Sequence, residues 1–214
     1  MSKNKIILDL CGGTGAWSND YREAGYDVRI ITLPDYDITN WRLDSSNILI
    51  IKGTKEMYIY PEKIYGILAA PPCYRFSFAK TTGKPRELRL GMEIAIACLQ
   101  IIWECQYQLI SPYAKITSLK FWALENPNGM LKYFLGKPAF EFNPYDFGDN
   151  YKKKTHLWGW FNEPKKSPIK CNKPKFDRLK TKEIHPEFYG KFTRQERRAI
   201  TPQGFARAFY EANK

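Results

Sequence analysis

Histidine is scarce in this chain: His156 and His185 are the only two among 214 residues. The five cysteines, Cys11, Cys73, Cys98, Cys105 and Cys171, form no Cys-x-x-Cys pair. Zinc-site spacing is therefore absent, no metal is expected, and an odd cysteine count argues against a disulfide framework. No apolar run reaches the roughly 18 residues that span a bilayer, so no membrane partner is expected. The first apolar stretch, Ile6-Ile7-Leu8, meets Asp9 too soon for a secretory leader. A cytoplasmic protein is expected. No Gly-Lys-Ser/Thr follows the early glycine-rich turn, so that turn is not a phosphate loop.

Apolar residues are plentiful. Hydrophobic side chains make up 43% of the chain and aromatics 15%, enough for a buried core. The length fits one domain, or one domain with a small appendage. The net charge of +12 is unevenly placed. Residues 151–214 hold 17 Lys and Arg against 6 Asp and Glu, whereas residues 1–150 hold 17 against 16. A basic block of this kind is the electrostatic footprint of a polyanion partner, here nucleic acid. The bland alternative is a solvated basic surface with no partner.

Apolar patterning predicts strands at Lys5–Leu10, Val28–Leu33, Ile64–Ala70, Phe121–Leu124, Ala139–Pro144 and Thr155–Phe161, with a hairpin around Lys52–Lys55. A helix is predicted from the glycine turn to about Gly25. A second, from Arg86 to about Tyr107, carries an apolar stripe that places Cys98 and Cys105 in the core. A short helix is expected at Gly129–Leu135, and helical character returns over Arg194–Asn213. Alternating strands and helices predict an α/β fold with a doubly wound, mostly parallel sheet.

Two strand ends carry chemistry. Ile64–Ala70 breaks at Pro71-Pro72-Cys73, and Phe121–Leu124 is followed by Glu125-Asn126-Pro127. A thiol and a carboxylic acid at neighbouring strand ends predict nucleophilic attack assisted by a proton donor. Ligands of open α/β sheets bind outside the carboxyl ends of the strands. The third element is Asp9-Leu-Cys-Gly-Gly-Thr-Gly-Ala-Trp17, which follows a strand and opens a helix. Such a turn lets backbone approach a ligand closely, or only packs helix on strand.

In order and spacing these motifs resemble those of the cytosine-5 DNA methyltransferase family, in particular its short phage-type members. Asp9–Trp17 is similar to the family's Asp-Leu-Phe-Ala-Gly-x-Gly-Gly-Phe, and Asp37-Ile38-Thr39 to its Gly-Asp-Ile segment. Pro72-Cys73-Tyr74-Arg75-Phe76-Ser77 is similar to Pro-Cys-Gln-x-Phe-Ser, and Glu125-Asn126-Pro127 to Glu-Asn-Val. Asn150–Lys154 falls where the family has Gln-x-Arg-x-Arg, with Lys152 and Lys154 at the two Arg positions. Arg197-Arg198-Ala-Ile-Thr201 resembles the late Arg-x-Leu-Thr segment.

The resemblance implies a methyltransferase (Rossmann-like) sheet, S-adenosylmethionine as cofactor, DNA as partner, and the cytoplasm of a bacterium or phage-infected host. It assigns Cys73, Glu125, Asn126 and Lys154 to catalysis. Asp9, Gly13, Gly15, Trp17, Asp37 and Pro71 are assigned to the cofactor, with Trp17 beside the adenine. Phe76 and Ser77 are placed on a loop over the target base. Ser77, Lys152, Lys165, Lys166, Lys170 and Lys173 are assigned to nucleic acid. Thr32-Leu33-Pro34 stands where the family carries an acid after its second strand, with Asp35 as the nearby substitute.

The division implied is a catalytic domain over residues 1–161, a short basic loop region over 162–196 where the family has a target-recognition domain, and a C-terminal helix over 197–214 packing back. Two other readings stay open at this level. One is a degenerate methyltransferase fold serving as a nucleic-acid-binding subunit. The other is a methyltransferase for single strands or nucleotides. Methylation of an exocyclic amine is disfavoured, because Ala70 and Cys73 replace the polar and aromatic residues of that family's Pro-Pro motif.

Overall fold

The computed structural model describes residues 5–79, 85–110, 119–168, 175–176 and 190–214. Their elements run β1 (Ile6–Leu10), α1 (Asn19–Glu23), β2 (Asp27–Ile31), β3 (Trp41–Leu43), β4 (Leu49–Lys52), β5 (Glu56–Ile59) and β6 (Ile64–Ala69). Then follow α2 (Leu88–Ile110), β7 (Phe121–Pro127), α3 (Lys132–Leu135), β8 (Phe140–Phe142), β9 (Tyr151–Lys152), β10 (Thr155–Trp160) and β11 (Lys175–Phe176). The chain closes with α4 (Arg194–Ala199) and α5 (Gln203–Asn213).

The main sheet has six strands in the order β2-β1-β6-β7-β10-β8. Its neighbours β2, β1, β6 and β7 are parallel, as the alternating pattern predicts, but β10 runs antiparallel to both β7 and β8. The departure has a local cause. Only a short 3₁₀ helix, Pro144–Phe147, and β9 intervene between β8 and β10, and parallel neighbours need a long crossover. The predicted hairpin is β4 and β5; β3 joins them in a separate antiparallel sheet that the sequence pattern did not announce. Arg29 donates 2.7 Å to the Tyr58 carbonyl, tying that small sheet to β2.

Every residue of β1 and of β6 is buried, the mark of strands covered on both faces. Alternate side chains enter two cores. Leu8, Ile67 and Leu124 face the stripe Ala95, Cys98, Ile101, Ile102 and Cys105 of α2. Ile7, Leu68 and Ala123 face Tyr21 of α1 and Phe205 and Phe209 of α5. The β1-to-β2 connection thus crosses one face and the β6-to-β7 connection the other. The winding reverses between β1 and β6, and the crevice at that switch point is where such sheets hold ligands.

Several elements differ in extent from their predicted spans. The helix after the glycine turn is confined to α1, because residues 11–18 are spent on turns. The strand β7 runs on to Pro127, so Glu125 and Asn126 belong to the strand rather than to a loop beyond it. No helix among the described residues is long and apolar enough to cross a membrane. None of their His, Cys, Asp and Glu side chains cluster in threes to hold a metal ion.

Candidate active site

Three neighbouring strands deliver the site. Leu10 pairs with Ala69 and Ala69 with Leu124, so β1, β6 and β7 end at one level. From Leu10 the chain enters the glycine turn. Gly13 and Gly15 take φ of +53° and +72°, and a Cβ on Gly15 would lie 2.4 Å from Ile30 Cδ1. Cys11 also adopts a positive φ of 59°, a strained conformation for a side-chain-bearing residue. Its Sγ lies 3.9 Å from Cys98 Sγ, which ties the turn to α2.

Cys73 begins a 3₁₀ turn, Cys73–Arg75, past the end of β6. That loop is pinned from behind. Asn126 Nδ2 donates to the Pro71 carbonyl at 2.9 Å, and Met130 N donates to the Phe76 carbonyl at 2.9 Å. Ser77 bridges to Gly129, while Arg86 donates to the Ser77 carbonyl at 2.6 Å. Arg75 is ion-paired with Glu87.

Cys73 sits where three cavities meet. The first, about 420 Å³, is bounded by Asp9, Gly12, Gly13, Thr14, Pro72 and Glu125. The second, about 250 Å³, is bounded by Thr32, Leu33, Tyr36 and Asp37. The third, about 390 Å³, is bounded by Ser77, Lys152, Lys153, Lys154 and Arg198. Volumes in this range suit small-molecule ligands.

Burial raises the Cys73 thiol above its ordinary 9.0, Lys153 and Arg198 pull it down, and Glu125 pushes it up. Burial also raises Glu125, again opposed by Lys153. Lys153 Nζ lies 3.9 Å from Glu125 Oε1 and donates to the Arg198 carbonyl at 2.9 Å. Both side chains of the pair are nearly enclosed, so their charges interact in poor solvent. Asp9 is buried and raised from 3.8 to about 6, because burial outweighs the hydrogen bond from Ser18 Oγ at 2.6 Å. Its Oδ1 has no partner.

Several sequence expectations are corrected. Lys154 is half-exposed and paired with Glu141 at 2.7 Å; Lys153 is the lysine beside Glu125. The chain leaves the ladder between β9 and β10, so residue-by-residue alternation does not carry through this segment. Asn126 borders none of the three cavities, because it lies on the opposite pleat of β7 from Glu125; it holds the Cys73 loop. Pro71 is the acceptor of that bond, and Pro72 is the proline at the cavity. Trp17 shows only an edge to the first cavity. Its ring is 2% exposed and packed on Phe205 and Phe209.

Phe76 is fully buried in the core rather than poised over a ligand. Asp35 turns to Lys55 at 2.8 Å and borders none of the three cavities. Asp37 borders the second cavity, with Oδ1 accepting from Thr39 N and Oγ1. Lys166 is committed to Asp146 at 3.1 Å and to the Glu141 carbonyl. Lys152 and Lys165 are exposed, and Lys170 and Lys173 lie outside the described residues.

The C-terminal segment supplies walls that motif reading missed. Phe192, Glu196, Ala199, Ile200 and Thr201 border the first cavity. Glu196 borders the second as well, together with Thr32 and Leu33, while its Oε2 accepts from Thr193 N at 2.7 Å. The only advance signal was the Arg197–Thr201 motif itself.

Two outcomes follow from these charges. Lys153→Met removes the cation that lowers both Cys73 and Glu125, so both shift further upward. The alkylation rate of Cys73 by iodoacetamide at neutral pH is expected to fall about 3- to 10-fold, with the pH profile displaced to higher pH. Peptide-resolved mass spectrometry reads this directly, and an unmoved profile would remove Lys153 from the site.

Asp9 has the opposite consequence for stability. A carboxyl raised in the fold binds its proton more tightly there than in the unfolded chain. The contribution of Asp9 to stability is therefore greatest below pH 3.8 and is lost as pH rises through about 6. Asp9→Asn is expected to be more stable than wild type at pH 8 by roughly 1–3 kcal/mol, with the difference vanishing near pH 4. Urea denaturation at the two pH values measures it, and a pH-independent difference would contradict the assignment.

No protein-family model matches the chain, and no curated protein matches it at a significant level.

Proposed function

We propose that the protein is an S-adenosylmethionine-dependent methyltransferase of the methyltransferase (Rossmann-like) type, acting on carbon 5 of cytosine in DNA through a covalent adduct of Cys73. One observation carries the proposal: Cys73 stands at the junction of a cavity bounded by a glycine turn and a cavity bounded by cations, with the buried Glu125 carboxyl beside it.

The residues of the first cavity fit the cofactor. Asp9 offers a buried oxygen with no partner, and Gly13 leaves open space where a side chain would stand. Asp9, Gly13 and Glu196 would hold the polar half, with Thr32, Leu33 and Asp37 toward the second cavity; Gly15 borders neither cavity and instead makes room for Ile30. When bound, S-adenosylmethionine supplies an electrophilic methyl group on a sulfonium.

The chain's own residues do the rest. Carbon 6 of cytosine is a poor electrophile, so attack there needs both a thiolate and a ring relieved of charge. The Cys73 thiol loses its proton, and sulfur bonds to carbon 6. Glu125, whose carboxyl burial pushes upward, would donate a proton to ring nitrogen 3 as the double-bond electrons shift. Carbon 5 thereby becomes the nucleophile that would take the methyl the cofactor supplies, the neutral thioether being the leaving group. Release of the carbon 5 proton to solvent would then expel the Cys73 thiolate, and return of the ring nitrogen 3 proton to Glu125 would restore the ring. Lys153 and Arg198 favour the thiolate at the first and last of these steps. A stacked base is out of reach of Cys73, so the cytosine arrives flipped or unpaired.

A second reading, a catalytically inert nucleic-acid-binding subunit, is favoured by one observation. Burial raises the Cys73 thiol instead of lowering it, so the resting protein holds a weak nucleophile. The two readings separate in one experiment. DNA containing 5-fluorocytosine, incubated with protein and S-adenosylmethionine, is expected to give a denaturation-stable adduct at Cys73, because fluorine blocks the final elimination. DNA binding with no adduct would favour the inert subunit or a substrate other than that DNA.

A further inference from the structure

We infer that the rim of the third cavity is a docking surface for single-stranded DNA, with unpaired bases stacking on Phe78 and Tyr133. The inference deepens the methyltransferase reading and rests on it for DNA rather than RNA and for the identity of the reacting base.

Phe78 borders the third cavity beside Cys73 and is 41% exposed. Its ring lies 6.3 Å from that of Tyr133, which is 70% exposed. The two residues come from different segments, the loop after the Cys73 turn and helix α3. They are brought together by the Phe78 N to Asn128 carbonyl bond and the Ser77–Gly129 bridge. Two adjacent rings left in water gain nothing for the fold, and their faces are the surface on which bases of any sequence stack. Lys132 Nζ lies 5.4 Å from both ring centroids, adding a cation to the platform.

The charge of the cavity matches a phosphate backbone. Its described lining holds Lys152, Lys153, Lys154 and Arg198 and no acidic residue. Two of these are paired with carboxylates, Lys153 with Glu125 and Lys154 with Glu141; Lys152 is exposed on β9. Aromatic faces edged by cations describe a single-strand groove, whereas a duplex keeps its bases stacked inside and offers the rings nothing to hold. The path of the strand follows from placement. A nucleotide stacked on Tyr133 and Phe78 would lead its neighbour into the cavity that ends at Cys73.

The test uses fluorescence anisotropy with an oligothymidylate of about 12 nucleotides, long enough for a single-strand site, and with a duplex of the same length. Neither probe needs cytosine, so the result stands whether or not methyl transfer occurs. Wild type is expected to bind the single strand more tightly. The double variant Phe78→Ala, Tyr133→Ala is expected to lose about 10-fold or more of that affinity, with duplex binding changed less than about 2-fold. Both side chains are solvent-exposed, and a variant with Trp at both positions is expected to restore binding. Unchanged single-strand affinity in the double alanine variant would overturn the surface. Tighter duplex binding by wild type would overturn its preference. Tighter binding of an oligouridylate would overturn DNA as the occupant.

Discussion

Replacing Cys73 by Ser is expected to reduce methyl transfer more than about 10⁴-fold, the scale on which enzymes lose rate when a covalent nucleophile is removed. Binding of DNA and of cofactor is expected to stay within about 2-fold, because the contacts that hold them come from other residues. A hydroxyl is far less acidic than a thiol. The cations that favour a Cys73 thiolate, Lys153 and Arg198, would leave serine protonated. Rate and equilibrium binding measured on one preparation decide the matter. Retained transfer would end the covalent mechanism, and lost binding would mean that Cys73 shapes the site. In wild type the rate is expected to rise with pH toward the alkaline side, since the resting thiol lies above its ordinary 9.0. The Lys153→Met profile should lie further in that direction.

The second large effect lies far from the thiol. Phe205→Ala is expected to destabilise the protein by about 3–5 kcal/mol and to lower the melting temperature by about 10 °C. Phe205 is wholly buried, stacks on Phe142 with ring centroids 4.0 Å apart, and meets Trp17, Phe147 and Phe209. The loss should reach function too, because α5 anchors the segment that carries Glu196, Ile200 and Thr201 to the first cavity. Cofactor affinity is expected to weaken before the fold is lost. Trp103→Ala, on an exposed face of α2, is the control and should cost under about 0.5 kcal/mol. A loss at Phe205 no larger than the control's would mean that α5 is not part of the core.

Legibility in the sequence followed the range of the interactions involved. Largely apolar runs such as Ile6–Leu10, interrupted only by Asp9, and Ile64–Ala69 announced central strands, because both faces of those strands are covered. The stripe of α2 was equally plain, since its apolar residues must share one face. The β3 strand was not legible. Its three residues carry no period long enough to read, and its pairing with β4 is decided by the hairpin beside it. The reversal of β10 was also hidden, because strand direction depends on which neighbour the returning chain meets.

The same division runs through the site. Cys73, Glu125 and the glycine turn were visible because strand ends are punctuated by proline and glycine, and reactive residues there stand out. Lys153 was not visible within Lys152-Lys153-Lys154. Three identical side chains carry no sign of which one turns inward, and only the packing of β10 against β7, with the Arg198 carbonyl above, selects it. Asn126 looked catalytic beside Glu125, yet the pleat turns it to the Pro71 carbonyl. By itself the sequence determined the chemistry available: a thiol, a carboxyl, a glycine turn and a basic final third. Tertiary structure alone decided which lysine meets the carboxyl, which walls close the cavities, and that the cation beside Cys73 is offset by burial. Desolvation and pairing arise from groups distant in the chain, and no local pattern records them.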